Sequence, residues 1–269
     1  METTLALAQM AIAAGRPDLN AAAARTLAAE AATSGADLFV LPELWPSGYD
    51  LERAVADAAP LDAGPFGLMA ELAQAHSLHV VGTALEANPG GRPFNTAALY
   101  GPEGERVGAY RKVHLFAPMG EREYMTAGDT LPVFDLPWGR TALATCYDLR
   151  FPEQWRQYTW AGACLIVIPA EWPIHRVEHW RLLLRARAVE NQLFVAGCNR
   201  AGTDTDGEFG GHSAVVDPWG HVLVEGGAEA GLYVATLNLD EVERARGMFT
   251  FLEDRRPEVY GQVEEETDV

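Results

Sequence analysis

Basic residues are scarce in this 269-residue chain: 20 Lys and Arg stand against 38 Asp and Glu, a formal net charge of -18. Phosphate backbones are held by clustered Lys and Arg, so this balance argues against a nucleic-acid partner and against an anionic membrane surface. Cysteine is scarcer still. Cys146, Cys164 and Cys198 are an odd number with no CxxC pair, which is no disulfide framework and fits a reducing cytoplasm. Long apolar runs are missing too: no stretch approaches 18 uninterrupted apolar residues, so no membrane span is expected. The opening "METTLALAQMAIAAG" lacks a basic n-region and carries Glu2, unlike a secretory signal. Internal repeats, low-complexity tracts and long linkers are absent. Together these absences predict a soluble cytoplasmic protein.

What is present is ordinary globular material, 48% hydrophobic and 22% charged, in a chain long enough for a sizeable core. Apolar runs that read as strands alternate with helical patterns. "TLALAQMAIA", "ADLFVLPE", "HVVGTALEA", "NTAALYG", "TALATC", "CLIVIPA", "LFVAGCN" and "GLYVATLNL" are the strands, and "HSAVVDPWGHVLVEGG" is a hairpin turning at Asp217-Pro218-Trp219-Gly220. "NAAAARTLAAEAATSG" predicts a helix with Asn20 as N-cap and Gly35 as its stop. "PFGLMAELAQAHS", "PEQWRQYTWAG" and "HRVEHWRLLLRARAVENQ" predict three more. The pattern is that of a single α/β domain over residues 1–240, followed by a C-terminal helix and acidic tail over 241–269. Periodicity does not distinguish one sheet from two.

Three strand ends carry side chains with complementary chemistry, in the region where layered α/β folds bind ligands. Glu43 follows "LFVLP", Lys112 sits in "YRKVHLF", and Cys146 closes "TALATC". Each has an ordinary explanation: a strand-end carboxylate in water, a snorkelling lysine, an inert buried thiol. Together, a carboxylate can take the thiol proton and an ammonium can stabilise the thiolate and a developing oxyanion. The helix expected at Pro152 would add its N-terminal dipole beside the sulfur.

The set, in this chain order, resembles the Glu-Lys-Cys triad of the carbon–nitrogen hydrolase, or nitrilase, superfamily. "LPELWPSGY", "YRKVHLF" with "GEREYMTAG", and "CYDLRFPE" carry the likeness; "PAEWP", "LLRARAVENQ" and "VAGCNR" extend it to about residue 240. The resemblance implies an α-β-β-α sandwich that dimerises through its outer helices. It implies Cys146 as nucleophile, Glu43 as general base, Lys112 and the backbone N–H of Tyr147 as the oxyanion hole, and Glu121 as a second glutamate positioning lysine and substrate. No metal or organic cofactor is implied. Within the superfamily the motifs look most like the omega-amidase branch, whose members hydrolyse the terminal amide of 2-oxoglutaramate to the 2-oxo acid and ammonia. Arg150, four residues after the nucleophile, is the candidate partner for a substrate carboxylate; an ion pair with Asp148 or Glu153 is its structural alternative. Trp45, Tyr49, Phe116 and Trp172 are candidate pocket walls. Arg176, Arg181, Arg185 and Arg187 are expected in solvent or in ion pairs, and Cys164 and Cys198 as inert packing in strands.

Other readings stay open at this level. The same cation would serve an N-carbamoyl amino acid equally well. "HRVEH", His175 to His179, matches an inverted zincin pattern without an obvious third ligand. A Cys-His acyl hydrolase would use His114 or His179 as base. A non-catalytic binding module would keep the fold without needing Glu43, Lys112 and Cys146 together.

Overall fold

The computed structural model describes residues 1–204 and 207–260. The first half of the chain builds β1 (Glu2–Gln9), helix α1 (Pro17–Thr33), β2 (Leu38–Val40), helix α2 (Gly64–His76), β3 (His79–Glu86), β4 (Phe94–Tyr100) and β5 (Arg106–Arg111). The second half gives β6 (Val133–Leu136), β7 (Gly139–Leu143), helix α3 (Pro152–Trp160), β8 (Leu165–Ala170), helix α4 (Val177–Asn191) and β9 (Phe194–Asn199). A short hairpin of β10 (Ala201–Asp204) and β11 (Gly207–Gly210), then β12 (Ala214–Val216), β13 (Val222–Glu225), β14 (Gly231–Asn238) and helix α5 (Asp240–Met248) complete it.

These strands form two six-stranded sheets, ordered β14-β1-β2-β3-β4-β5 and β13-β12-β9-β8-β7-β6. Each has a parallel centre flanked by antiparallel strands: β1, β2 and β3 in one, β7, β8 and β9 in the other. The last strand closes back on the first, with Leu5 opposite Ala235 in an antiparallel pair.

Period-two alternation explains the layers. Leu5 and Leu7 of β1 point to the other sheet and join Leu38, Val40, Leu143, Val167 and Phe194 in an inter-sheet core. Ala6 and Ala8 point the opposite way, onto Ala24 and Ala28 of α1 and Met69 and Leu72 of α2. In the second sheet Ile166 and Ile168 likewise face Trp155, Trp180 and Leu184 of the outer helices α3 and α4. Both faces of each sheet are covered, so the strands read as continuous apolar runs that hide the sheet count. The result is the α-β-β-α sandwich.

Two local expectations change. Helix α1 begins a turn earlier than Asn20, with Pro at its first position; the Asn20 side chain instead bonds the backbone of Ala13 and Pro46, pinning the helix to the loop after β2. Gly35, at φ +74°, does end that helix. Strand β6 and the β10–β11 hairpin have no counterpart in the sequence reading; both are four-residue strands, too short for periodicity to register. The acidic stretch 261–269 lies outside the described residues.

Candidate active site

Glu43, Lys112 and Cys146 all lie just past strand ends: β2 and β5 of one sheet, and β7 of the other. The sheets face each other, so the three converge at the sandwich edge. Lys112 is fully buried and its Nζ lies 2.8 Å from Glu43 Oε1 and 2.6 Å from Glu121 Oε1. Asn95 Nδ2 donates to the same Glu43 oxygen over 2.8 Å, and the Glu171 main-chain N–H donates to Glu43 Oε2 over 3.0 Å. Glu121 is held as firmly: the Tyr49 hydroxyl donates to Oε1 over 2.6 Å and the Phe116 N–H to Oε2 over 2.7 Å. A buried charge costs several kcal/mol unless paired and hydrogen-bonded, and here each is both.

Cys146 stands on a tight turn, Cys146–Arg150, that intervenes between β7 and α3. Its φ of 44° lies in the left-handed region, which a side-chain-bearing residue occupies only when its surroundings over-determine it. Asp148 supplies that determination. Its carboxylate accepts from the Thr145 N–H at 2.8 Å, the Tyr110 hydroxyl at 2.7 Å and the His114 N–H at 3.1 Å, while the His114 ring Nδ1 lies 2.8 Å away. The turn therefore points the sulfur at the Glu43–Lys112 pair. Helix α3 starts at Pro152, as expected, after this turn.

The electrostatics of the site follow from its burial and its charges. Burial would pull the Lys112 ammonium down, but Glu121 and Glu43 outweigh it and hold Lys112 well above the lysine range. Burial pushes the Cys146 thiol well above its usual range; Glu43, also in a side-chain hydrogen bond with it, adds to the rise, and Lys112 only partly opposes them. Burial, with two carboxylates sharing one ammonium, favours the thiol over the thiolate at Cys146. Burial likewise raises Glu121, against the pull of Lys112.

A cavity opens onto Cys146, lined by Glu171, the rings of Tyr49, Phe116 and Trp172, and the guanidinium-bearing Arg150 and Arg176. Tyr147 also lines it. Tyr49 contributes its ring only, since its hydroxyl is committed to Glu121. Trp45, expected as a wall, packs instead in the core between the first sheet and its helices. Arg150 pairs with neither Asp148 nor Glu153 among the described residues: Asp148 is buried with its oxygens taken, and the guanidinium lies over the Trp172 ring, 4.6 Å from its centroid.

The histidines sit elsewhere. The His114 ring is bonded to Asp148 and stacked on Phe151 at 3.7 Å. His175 and His179 fall on a separate turn, Ile174–Arg176, and on α4, so they do not share one continuous helix. Cys198 is buried in β9, its thiol bonded to the carbonyls of Ala8 and Val40. Cys164 is half-buried and precedes β8 rather than lying within a strand.

Sequence reasoning overlooked Asn95, Glu171 and Arg200. Glu171 is 1% exposed, and its Oε2 pairs with Arg200 Nη1 at 2.9 Å. The signal was a glutamate directly after the buried strand "LIVIPA", the same pattern that singled out Glu43. Asn95, inside β4, had no such signal.

Known proteins share both sequence and architecture with this chain. The carbon–nitrogen hydrolase family model matches residues 4–247. The 2-oxoglutaramate amidase of Bacillus subtilis (strain 168) is 38% identical over 260 residues, covering 97% of this chain and 100% of that protein. The omega-amidase NIT2 of Homo sapiens is 32% identical over 265 residues, 95% of this chain and 96% of the relative. Among solved structures, a variant of the amidase from Nesterenkonia sp. AN1, with acrylamide added to its active-site cysteine, superposes with a TM-score of 0.82 at 29% identity, over 91% of this chain and 97% of that one.

Proposed function

Since this chain belongs to the carbon–nitrogen hydrolase family, we propose that it cleaves the terminal amide of a small 2-oxo dicarboxylate monoamide, 2-oxoglutaramate or a close analogue, through a thioester on Cys146. One observation carries the catalytic part: Lys112 bridges Glu43 and Glu121 at 2.8 and 2.6 Å, next to the thiol. The substrate part rests on Arg150, a cation without a carboxylate partner among the described residues, in the cavity that opens onto that thiol. The substrate named for the Bacillus subtilis relative is of this class.

In this reading Glu43 takes the thiol proton as the sulfur attacks the amide carbon, forming the S–C bond. The carbonyl oxygen becomes an oxyanion held by Lys112 Nζ and the Tyr147 main-chain N–H. Glu43 passes its proton to the amide nitrogen, the C–N bond breaks and ammonia leaves. A water then gives its proton to Glu43 and attacks the thioester; the C–S bond breaks and the thiol is restored with the acid product. Glu121 keeps Lys112 aimed through both steps, and Tyr49 and the Phe116 N–H keep Glu121 in place.

Two copies pairing through the outer helices belong to the same proposal. Leu182 and Val189 of α4 and Val222 and Leu223 of the adjoining sheet edge are exposed apolar side chains on that side of the sandwich. The three free thiols fit a cytoplasmic setting. Among the described residues no helix is long and apolar enough to cross a membrane.

The test is ammonia release from 2-oxoglutaramate and from an N-carbamoyl amino acid, with wild type and Cys146→Ala. Fast release from the oxo-acid amide, lost in the variant, is expected. Preference for the carbamoyl compound would keep the cysteine chemistry and replace the substrate. Undiminished release by Cys146→Ala would overturn the nucleophile.

A further inference from the structure

The cavity over Cys146 holds more positive charge than one substrate carboxylate requires. Arg150 and Arg176 both line it, and neither is ion-paired among the described residues. Glu171, the carboxylate that lines the same cavity, is already bound to Arg200. Each guanidinium rests near an aromatic ring: Arg150 Cζ lies 4.6 Å from the Trp172 centroid and Arg176 Cζ 5.7 Å from that of Phe116. Ring contact of this kind leaves the in-plane N–H donors free for a planar acceptor. Among the described residues the one side-chain polar contact of either is a long one, 3.5 Å from Arg150 to His179 Nδ1. Burial, and after it the charge of Arg176, pulls Arg150 below the usual arginine range. Two like charges held together without an anion are a standing cost that an arriving anion relieves.

We infer that Arg176 is a specificity-determining residue that forms, with Arg150, a two-guanidinium clamp for the 2-oxo acid end of the substrate and turns away the matching 2-amino acid. The inference rests on the substrate reading above and deepens it. A 2-oxo acid presents a carboxylate and an adjacent carbonyl oxygen, all acceptors and able to lie in one plane. Two guanidiniums present only donors, so the match is complete. A 2-amino acid amide such as glutamine puts an ammonium where the carbonyl oxygen would be. That group brings donors against donors and a positive charge against two others. Discrimination thus comes from repulsion of the wrong molecule as much as from attraction of the right one. Arg176 stands at the start of α4 on a half-buried turn, and its main-chain carbonyl anchors Trp172 Nε1 at 2.8 Å. A changed side chain leaves that anchor in place.

The experiment measures kcat/KM for 2-oxoglutaramate and for L-glutamine with wild type, Arg176→Gln and Arg176→Lys. Wild type is expected to prefer the oxo compound. Arg176→Gln should lower the preference about 10- to 100-fold, chiefly through KM for 2-oxoglutaramate, and Arg176→Lys, which keeps the charge but loses the planar donors, should fall between Arg176→Gln and wild type. A purely structural role would slow both substrates together and leave their ratio unmoved. A wild type that prefers 2-oxoglutaramate, with an unmoved ratio in Arg176→Gln, overturns this inference alone. A wild type without the preference overturns the substrate reading and the inference with it. As a second readout, the Kd of 2-oxoglutarate on Cys146→Ala protein should rise when Arg176→Gln is added; no rise counts against the clamp.

Discussion

The main-chain N–H of Glu171 donates to Glu43 Oε2 over 3.0 Å, joining the ends of β8 and β2 across the two sheets. With Lys112 and Asn95 on Oε1, both oxygens of Glu43 are fixed by donors from three separate strand ends or strands before any substrate arrives. In the proposed reaction, a base held this way would not have to find its geometry during the step, which is where preorganisation lowers a barrier.

Glu43→Gln is nearly isosteric but cannot accept the thiol proton. Ammonia release should fall about 10²- to 10⁴-fold. The amide also turns N–H donors toward Lys112 or the Glu171 N–H, so unfolding stability should drop by about 1–3 kcal/mol. Single-turnover kinetics and urea denaturation of the same protein separate the two effects. Activity within tenfold of wild type would remove Glu43 from the base role.

His114→Ala should keep activity within about tenfold of wild type. The ring is bonded to Asp148 at 2.8 Å and stacked on Phe151, and it makes no hydrogen bond to Cys146 among the described residues. Its removal takes a support from the turn that carries Cys146, so a modest loss is expected with a lower Tm. A collapse as deep as that of Glu43→Gln would instead favour a Cys-His acyl hydrolase. Steady-state ammonia assays of both variants side by side decide it.

Tyr49→Phe removes a 2.6 Å bond to Glu121 and leaves the ring in the cavity. A hydrogen bond to a buried carboxylate contributes about 1.5–3 kcal/mol, so the urea midpoint should fall accordingly. Glu121 would then hold Lys112 less firmly, and kcat should fall about tenfold while KM changes little. A large KM change with intact kcat would mean the hydroxyl contacts substrate directly.

Much of this was legible in the chain, for identifiable reasons. Apolar runs ending abruptly in Glu43 and Cys146 placed two chemical groups at strand ends, because a buried strand tolerates a polar group only where it stops. Lys112 was legible through its apolar neighbours in "YRKVHLF". The sheet count was not, since strands covered on both faces lose the alternation that would reveal which face meets what. Asn95 was hidden because a polar residue inside a strand acquires meaning only when a distant carboxylate reaches it. Arg176 was read with the solvated arginines of the helix that follows; only the turn before α4 brings it into the cavity. The protonation state of Cys146 was not legible, because burial first, and then the charges of Glu43 and Lys112 brought together in three dimensions, set it.

Glu171 makes a stability prediction with a definite sign. Burial pushes its carboxyl from the ordinary 4.5 up to about 8, with Arg200 at 2.9 Å only partly offsetting that. The folded protein therefore binds a proton at this site that the unfolded chain releases between those two values. Stability from this group is greatest below the unfolded value, declines as pH rises through the window, and levels off above pH 8. The slope approaches about 1.4 kcal/mol per pH unit where the two states differ by one proton. Unfolding free energies of wild type and Glu171→Gln, measured by urea titration from pH 5 to 8, isolate the contribution as a difference curve. That curve should fall with pH by a few kcal/mol across the window, whatever constant offset the lost Arg200 pair introduces. A difference curve that is flat or rising would mean that Arg200 keeps Glu171 ionised throughout. The carboxylate in the cavity would then be a fixed negative charge facing Arg150 and Arg176.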